Sequence, residues 1–368
     1  MQLTVQREAL LEPLQMIIGV VERRQTLPII GHVLLKIENN ILTLTATDTE
    51  IELIGHVELA EPVTEQMEVT VPGRKFLDIC RALDANAQLN IRVEKERLLI
   101  RAGSGRFVLV TLPASQFPKF EDSEALAQFT MEEHALNGLL YATHFAMAQQ
   151  DIRYYLNGLS LEIKQGKVHA VATDGHRFAL SHTLLTAAPT EPLQIIVPRK
   201  GVLELLRLLK PSQELLQITA GEHYIRIKGS TFTFTSKLID ARFPDYSRVM
   251  PSGKGVTLQI ERETLRQALT RVALLSNDKV RVVQLSIRHN LLQIQATNPE
   301  AEEAEEILPI DYQGQELEIA FNVNYLLDVL NTTTAERIKL TILDATQRIC
   351  IEGIDIDQSL YLVMPLQI

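Results

Sequence analysis

Acid and base groups crowd into one short stretch, where Asp174, His176 and Arg177 stand within ATDGHRFAL and Asp151 lies upstream. A carboxylate, an imidazole and a guanidinium at that spacing could act as acid, base and electrostatic clamp in a hydrolysis. Such chemistry also wants a nucleophile elbow, a phosphate loop or a metal-spaced His and Asp set, and none accompanies these residues. Two other stretches end in the same way, Asp48 with Thr49 and Glu50, and Asn298 with Pro299 and Glu300. A polar corner met three times is expected to be an architectural turn, so no catalytic residue, metal or cofactor is expected.

The corners belong to a longer repeat. LTVQREALLEPLQ from Leu3 recurs as FTMEEHALNGLLY from Phe129 and LQIERETLRQALT from Leu258, at offsets of 126 and 129. The corner itself recurs at Asp48, Asp174 and Asn298, at offsets of 126 and 124. A second helical block follows as TVPGRKFLDICRAL from Thr70, IVPRKGVLELLRLL from Ile196 and AFNVNYLLDVLN from Ala320. Each copy closes on strands that run to Pro118, to Pro244 and to the end of the chain. Four blocks in one order imply three tandem domains of one fold, 1–125, 126–253 and 254–368, with connections near Asp122–Gln128 and Pro251–Gly255.

Within each copy the helical blocks space apolar residues by three and four, as in Leu10, Leu14, Ile17 and Val21, or Phe76, Ile79, Cys80 and Leu83. The strands alternate, with Leu42, Leu44 and Ala46 on one side and Thr43 and Thr45 on the other. That pattern suits antiparallel sheet covered on one face. The fold class is therefore α+β: two helices packed on antiparallel sheets, three times over.

Composition narrows the function. Apolar residues make up 46% of the 368, enough for several cores. The formal net charge of −10 argues against a protein that coats nucleic acid by bulk phosphate neutralisation. Any DNA role must rest on local basic surface or on topology. The two cysteines, Cys80 and Cys350, are too few for a metal cage and are expected to be buried thiols. Met1 to Glu12 lacks a basic stretch followed by an apolar core, and no run of 18 apolar residues occurs, so a cytoplasmic place without membrane contact is expected.

The three copies, together with QDIRYYLNG from Gln150, VPRKGV from Val197, FTSKLIDARFPDY from Phe234 and NPEAEEAEEIL from Asn298, closely resemble the beta subunit of bacterial DNA polymerase III from Met1 to Ile368. The resemblance implies a head-to-tail homodimer, six domains in a closed ring, with helices lining the hole. The ring would encircle duplex DNA as a processivity factor. The related clamps of archaea and eukaryotes reach six domains as trimers of two; three repeats favour a dimer.

For the ring contact, the family's pattern implies Arg106, Phe107 and Leu109 of the first domain against Leu274, Leu275, Glu302, Glu303, Glu305 and Glu306 of the third. The pattern has a further arginine where this chain has Ser104, which weakens the charge dependence of that contact. DNA contact is implied for Arg24, Arg74, Gln150, Arg153, Tyr154, Tyr155 and Lys200, and the helices also carry Lys75, Arg81, Arg199, Arg207, Lys210, Arg262, Arg266 and Arg271. Long basic stems that reach phosphates read no bases, so such a complex can slide.

The resemblance also implies a peptide cleft between the second and third domains. Leu156, Pro244, Val249, Met364, Pro365 and Leu366 would offer an apolar hollow for a partner's anchors. Thr173, Gly175, His176, Arg177, Arg248, Asn322 and Tyr325 would supply turn geometry and orienting polar groups. Phe178, Thr346, Arg348, Leu362 and Gln367 depart from the family's pattern, which bears on the ranking of partners. The partners implied are the polymerase III alpha subunit and other polymerases, the clamp loader, and mismatch-repair and ligase-type proteins. A scaffold that binds only proteins, with its basic helices merely solvated, is the alternative.

Overall fold

A computed structural model of the chain describes residues 2–368 apart from 23–26, 61–66, 121–123, 186, 188, 190, 251–254, 278–279, 343–347, 355–357 and 367–368. Arg24, Thr346 and Gln367, the start of the first connection between repeats and most of the second lie outside the described residues.

The first repeat begins β1 (Gln2–Gln6), α1 (Arg7–Ile17), β2 (His32–Glu38), β3 (Ile41–Thr47) and β4 (Ile51–Glu58). It ends β5 (Met67–Pro72), α2 (Gly73–Ala82), β6 (Gln88–Glu94), β7 (Arg97–Ala102) and β8 (Gly105–Val110). The second repeat follows the same order: β9 (Ala125–Glu132), α3 (Glu133–Thr143), β10 (Gly158–Lys164), β11 (Lys167–Thr173) and β12 (Arg177–Leu184). Then come β13 (Leu193–Pro198), α4 (Arg199–Leu208), β14 (Leu215–Gly221), β15 (Tyr224–Lys228) and β16 (Phe232–Lys237). The third opens β17 (Val256–Glu261), α5 (Arg262–Val272), β18 (Val282–Arg288), β19 (Leu291–Thr297) and β20 (Glu303–Pro309). It closes β21 (Leu317–Asn322), α6 (Val323–Thr332), β22 (Arg337–Ile342), β23 (Ile349–Gly353) and β24 (Ser359–Val363).

The chain forms two compact units, Met1–His134 with Leu203–Leu238, and Ala135–Val202 with Ile239–Ile368. The first unit holds a four-stranded sheet, β1-β6-β7-β8, and an eight-stranded one, β5-β2-β3-β4-β16-β15-β14-β9. The second holds β13-β10-β11-β12-β24-β23-β22-β17 and the four-stranded β20-β19-β18-β21. These units cut across the repeats because each large sheet takes four strands from one repeat and four from the next, joined antiparallel at β4·β16 and β12·β24.

The helices bury one face each, with shifts from the periodicity reading. In α1 the buried residues are Leu10, Pro13, Leu14 and Ile17, while Val21, also buried, lies beyond the helix end. In α2 they are Gly73, Phe76, Leu77 and Cys80, and neither Ile79 nor Leu83 is fully buried. An apolar stripe about 100° wide leaves room for either neighbour of a three-and-four pattern, and packing selects Leu77. In β3, Thr45 and Thr47 are buried beside Leu42, Leu44 and Ala46, so this strand, interior to its sheet, is covered on both faces there.

The first helix of each repeat starts alike. Arg7, Glu133 and Arg262 donate their backbone N–H to the carbonyls of Ala87, Glu214 and Glu336, each at 2.9 Å, which satisfies one orphan donor of the helix end. Arg7 and Arg262 then send guanidinium N–H groups to Cys80 O and Leu330 O, at the ends of α2 and α6, where the helix dipole is negative. In the second repeat the carboxylate of Glu133, 6% exposed, instead accepts from the Lys210 backbone N–H and the Ser212 hydroxyl.

Cys80 and Cys350 are both buried, and burial pushes each thiol from an ordinary value of 9.0 up to about 12. A raised thiol value means the native state holds its proton more tightly than the unfolded chain. That stabilisation is complete below pH 9.0 and is lost as the pH climbs towards 12. Native protein at pH 8 is expected to leave both thiols unmodified by a thiol-specific dye, with both reacting in denaturant; rapid native labelling of either would contradict its burial.

Candidate functional site

The second corner is built from a few hydrogen bonds. Asp174 turns its Oδ1 back to accept from the N–H groups of His176 and Arg177, both at 2.9 Å, and Thr173 Oγ1 donates to Arg177 O at 2.6 Å. Gly175 closes the turn at φ +89, the left-handed region in which a side chain is strained. The first corner repeats this bond for bond. Asp48 Oδ1 accepts from Glu50 N and Ile51 N at 2.8 and 2.7 Å, Thr47 Oγ1 donates to Ile51 O at 2.8 Å, and Thr49 sits at φ +78. In the third, Asn298 Oδ1 accepts from Glu302 N at 2.9 Å and Ala301 takes φ +61. The carboxylates and amide therefore hold turns together, and the acid–base reading of Asp174 has a structural answer.

Beside the second corner opens a recess of about 210 Å³. Its polar rim comes from Thr173, Gly175, Arg177, Arg153 and Asp245, and its apolar wall from Leu156, Phe178, Phe243, Pro244, Val249, Leu362 and Met364, with Tyr155 and Tyr246. Leu156, Phe178, Phe243 and Leu362 belong to one buried cluster with Val171 and Cys350, so the wall is the surface of a packed core and is held rigid. Arg177 is fixed by an ion pair to Asp174 at 3.0 Å, a second to Asp328, and the faces of Tyr325 and Phe145 at 4.7 and 5.3 Å. Burial raises the Tyr325 phenol, and burial followed by a hydrogen bond to Glu162 raises that of Tyr246, so both stay protonated donors.

The structure brings together seven of the thirteen cleft residues expected from sequence, Leu156, Thr173, Gly175, Arg177, Pro244, Val249 and Met364. His176 lies just outside, its ring stacked on Tyr325 at 6.2 Å, and its carbonyl accepts from Met364 N. Asn322 caps α6, Arg248 pairs with Asp245 at 3.8 Å, and Leu366 N–H donates to Ala320 O, and none of the three lines the recess. Pro365 likewise does not line it. Sequence reasoning missed Phe243, Asp245, Tyr246, Phe145 and Asp328. The Phe-Pro pairs at 117–118 and 243–244, 126 apart, were the available signal for the first of them.

Of the residues expected to meet DNA, Tyr154 is 58% exposed while Tyr155 turns into the recess. Gln150 is exposed at φ +56. Arg153 is held by Asp151 at 2.8 Å, and hydrogen bonds from Arg153 take that carboxyl down to about 2. Arg74 donates to Val21 O at 2.6 Å, a structural tie. Arg199 and Arg207 likewise reach Met147 O and Met16 O, and Arg266 and Arg271 are paired with Glu263 and Glu306. Lys75, Arg81, Lys200 and Lys210 are exposed.

Among the expected ring-contact residues, Arg106, Glu302, Glu303 and Glu305 are exposed on the edge strands β8 and β20 or beside them, and Leu274 is 78% exposed. Leu109 is buried in its own sheet, since alternation along β8 leaves Val108 and Val110 outward instead. Glu306 is already neutralised by Arg271, whose hydrogen bond lowers the carboxyl's pKa. Among the described residues no group of three His, Cys, Asp or Glu side chains could hold a metal ion, and no helix is long and apolar enough to cross a membrane.

Three family domains match in succession: the DNA polymerase III beta subunit N-terminal domain at 1–121, its central domain at 130–245 and its C-terminal domain at 247–367. Beta sliding clamps of Pseudomonas putida and Escherichia coli are 48% and 44% identical over 368 and 369 residues, covering all of both chains in each case. The crystal structure of the DNA polymerase III subunit beta from Pseudomonas aeruginosa matches over 100% of both chains with TM-score 0.97 and 48% identity. Fold and relatives together define the class, a sliding clamp of three tandem domains, which acts in polymerase processivity and is not an enzyme. The chain belongs to the DNA polymerase III beta subunit family.

Gly175 is the point of the site most sensitive to a single methyl group. A Cβ there would meet the Arg153 guanidinium at 3.0 Å on a backbone of φ +89. Gly175→Ala is expected to cost about 1–2 kcal/mol of stability in urea denaturation; an unchanged midpoint would show that the corner relaxes without strain.

Proposed function

We propose that two copies of this clamp close head to tail through β8 and β20 into a ring that holds duplex DNA by topology. The observation that carries this is the sheet order of four, eight, eight and four strands. By the repeat, β8 corresponds to β16 and β24, and β20 to β4 and β12. In those copies the two strands pair with each other, β4 with β16 and β12 with β24, whereas β8 and β20 are sheet edges. Edge strands that carry unpaired N–H and C=O groups invite a partner strand. A contact between unlike surfaces closes into a ring when rotation returns it to its start.

The register can be carried over as well. Phe234 and Tyr361, opposite Leu53 and Ala179, match Phe107 opposite Ala304, which sets Arg106 against Glu305 and Val108 against Glu303. The domains of such a ring are taken as 1–125, 126–253 and 254–368. The exposed basic residues of the helices would face phosphate with little net affinity, and the closed ring would supply retention.

The recess beside the second corner is read as the docking place for linear peptides from the polymerase III alpha subunit, other polymerases, the clamp loader, and mismatch-repair and ligase-type proteins. Its apolar wall suits Leu or Phe anchors, and Arg177 and Tyr246 can orient them.

Loading onto nicked circular DNA with a clamp loader and ATP, followed by cutting the circle, tests the topology. Retention on the circle with release from the linear form is expected, and equal loss from both would defeat the ring. For the closure, Arg106→Glu is expected to weaken self-association about tenfold by sedimentation, with partial recovery on adding Glu305→Arg. Absence of recovery would refute that pairing.

A further inference from the structure

We propose that the recess beside the first corner, bounded by Thr47, Thr49, Pro118, Lys119, Phe120 and Lys237, is a second docking site that takes an acidic linear peptide with an apolar or aromatic anchor. It encloses about 420 Å³, with His223 and Tyr224 completing its lining. All of these residues lie within the first compact unit.

The repeat sets equivalent residues around the two recesses. Thr47, Thr49, Pro118, Lys119, Phe120 and Lys237 stand where the recess of the second corner has Thr173, Gly175, Pro244, Asp245, Tyr246 and Met364. The last correspondence follows from register, because Lys237 continues β16 past Ser236 as Met364 continues β24 past Val363, beside the matched joins to β4 and β12. The two corners share their hydrogen bonds, so the backbone frame of the two recesses is the same. The core next to it is built alike too: Phe117, the neighbour of Pro118, is buried with Ile29 and Ile30 as Phe243, the neighbour of Pro244, is with Leu156, although Phe117 does not itself line the first recess.

What differs is charge. At the two positions where the second recess has Asp245 and Met364, the first has Lys119 and Lys237, both exposed, and His223 is exposed beside them. The acids close by are Glu68, paired with Lys119 at 3.1 Å, Glu222, 3.9 Å from His223, the exposed Glu50, whose carbonyl accepts from the Lys237 backbone N–H at 2.9 Å, and Asp48, which is buried with its Oδ1 committed to the turn. On a chain of net charge −10 this is a local cationic rim around an apolar and aromatic floor. Such a rim selects acidic segments by complementarity, while Pro118, Phe120 and Tyr224 give an anchor a surface on which to pack. The Glu68 pair is exposed and therefore weak, so an incoming carboxylate can exchange for it.

This inference goes beyond the clamp reading and does not need ring closure. A fluorescein-labelled peptide GEEDLFEDG, titrated with the full-length protein at low salt and followed by anisotropy, is the probe. Binding is expected to weaken about tenfold in the double variant Lys119→Glu, Lys237→Glu, and measurably in Phe120→Ala, but to persist in Met364→Asp, which alters only the other recess. In the Met364→Asp background, where only the first recess is intact, the basic peptide GKKKLFKKG is expected not to bind. Equal affinity of the double variant and the unaltered protein, loss of binding in Met364→Asp, or no saturable binding by the unaltered protein would each overturn the proposal.

Discussion

A strand's backbone groups must find partners, and this chain meets that demand between repeats more than within them. Each repeat supplies two half-sheets of four strands, and each half-sheet ends on one strand whose donors and acceptors point away from its own repeat. At β4·β16 and β12·β24 those edges meet over five residue pairs each. The remaining two edges, β8 and β20, carry Arg106 on one side and Glu303 and Glu305 on the other. Charged edge residues of one sign keep identical edges apart while allowing unlike edges to join. The same device thus discourages strand-to-strand aggregation and favours a head-to-tail partner.

A second constraint divides the cations by type. Arg7, Arg74, Arg199, Arg207 and Arg262 reach backbone carbonyls, and Arg153, Arg177, Arg266 and Arg271 are locked to carboxylates. The planar guanidinium with its fixed fork suits such ties, whereas lysine's flexible stem keeps its charge in water. Hence the arginines that looked from sequence like a phosphate-facing array mostly hold the scaffold together. Lys75, Lys200 and Lys210 are exposed, Lys210 lying 3.7 Å from Glu12, and exposed lysine stems of this kind are what a non-specific phosphate surface needs.

Much of this was legible in the sequence, and the parts that were not share a physical cause. Periodicity gave the helices and strands because it reports the buried face of an element, and the spacing of Asp48, Asp174 and Asn298 gave the corners. It could not choose Leu77 over Ile79 in α2, since both lie near one stripe and packing decides. Nor could it show that sheets run across repeat boundaries, because that pairing uses backbone groups, which every residue carries alike. The recess was half legible: its corner and β24 were found, but Phe243 and Tyr246 come from a stretch without periodicity, and such stretches acquire a place only when the fold supplies one.

The repeated corners also explain how a chain without catalytic machinery can specialise. Their hydrogen bonds are spent on holding a turn, so they fix a frame and leave the chemistry to whatever side chains stand around it. In the second repeat that frame carries Asp245 and Met364, and Arg177 is immobilised by two carboxylates and two aromatic faces. In the first it carries Lys119 and Lys237, and Ile51 occupies the position of Arg177. A substitution at these positions leaves the turn's bonds untouched, because the bonds use Asp, Asn and Thr side chains of the corner itself and backbone groups only a few residues away. Selection can therefore change what a recess recognises without reopening how it folds, and two recesses on one backbone can diverge in charge while the sheets beneath them stay the same.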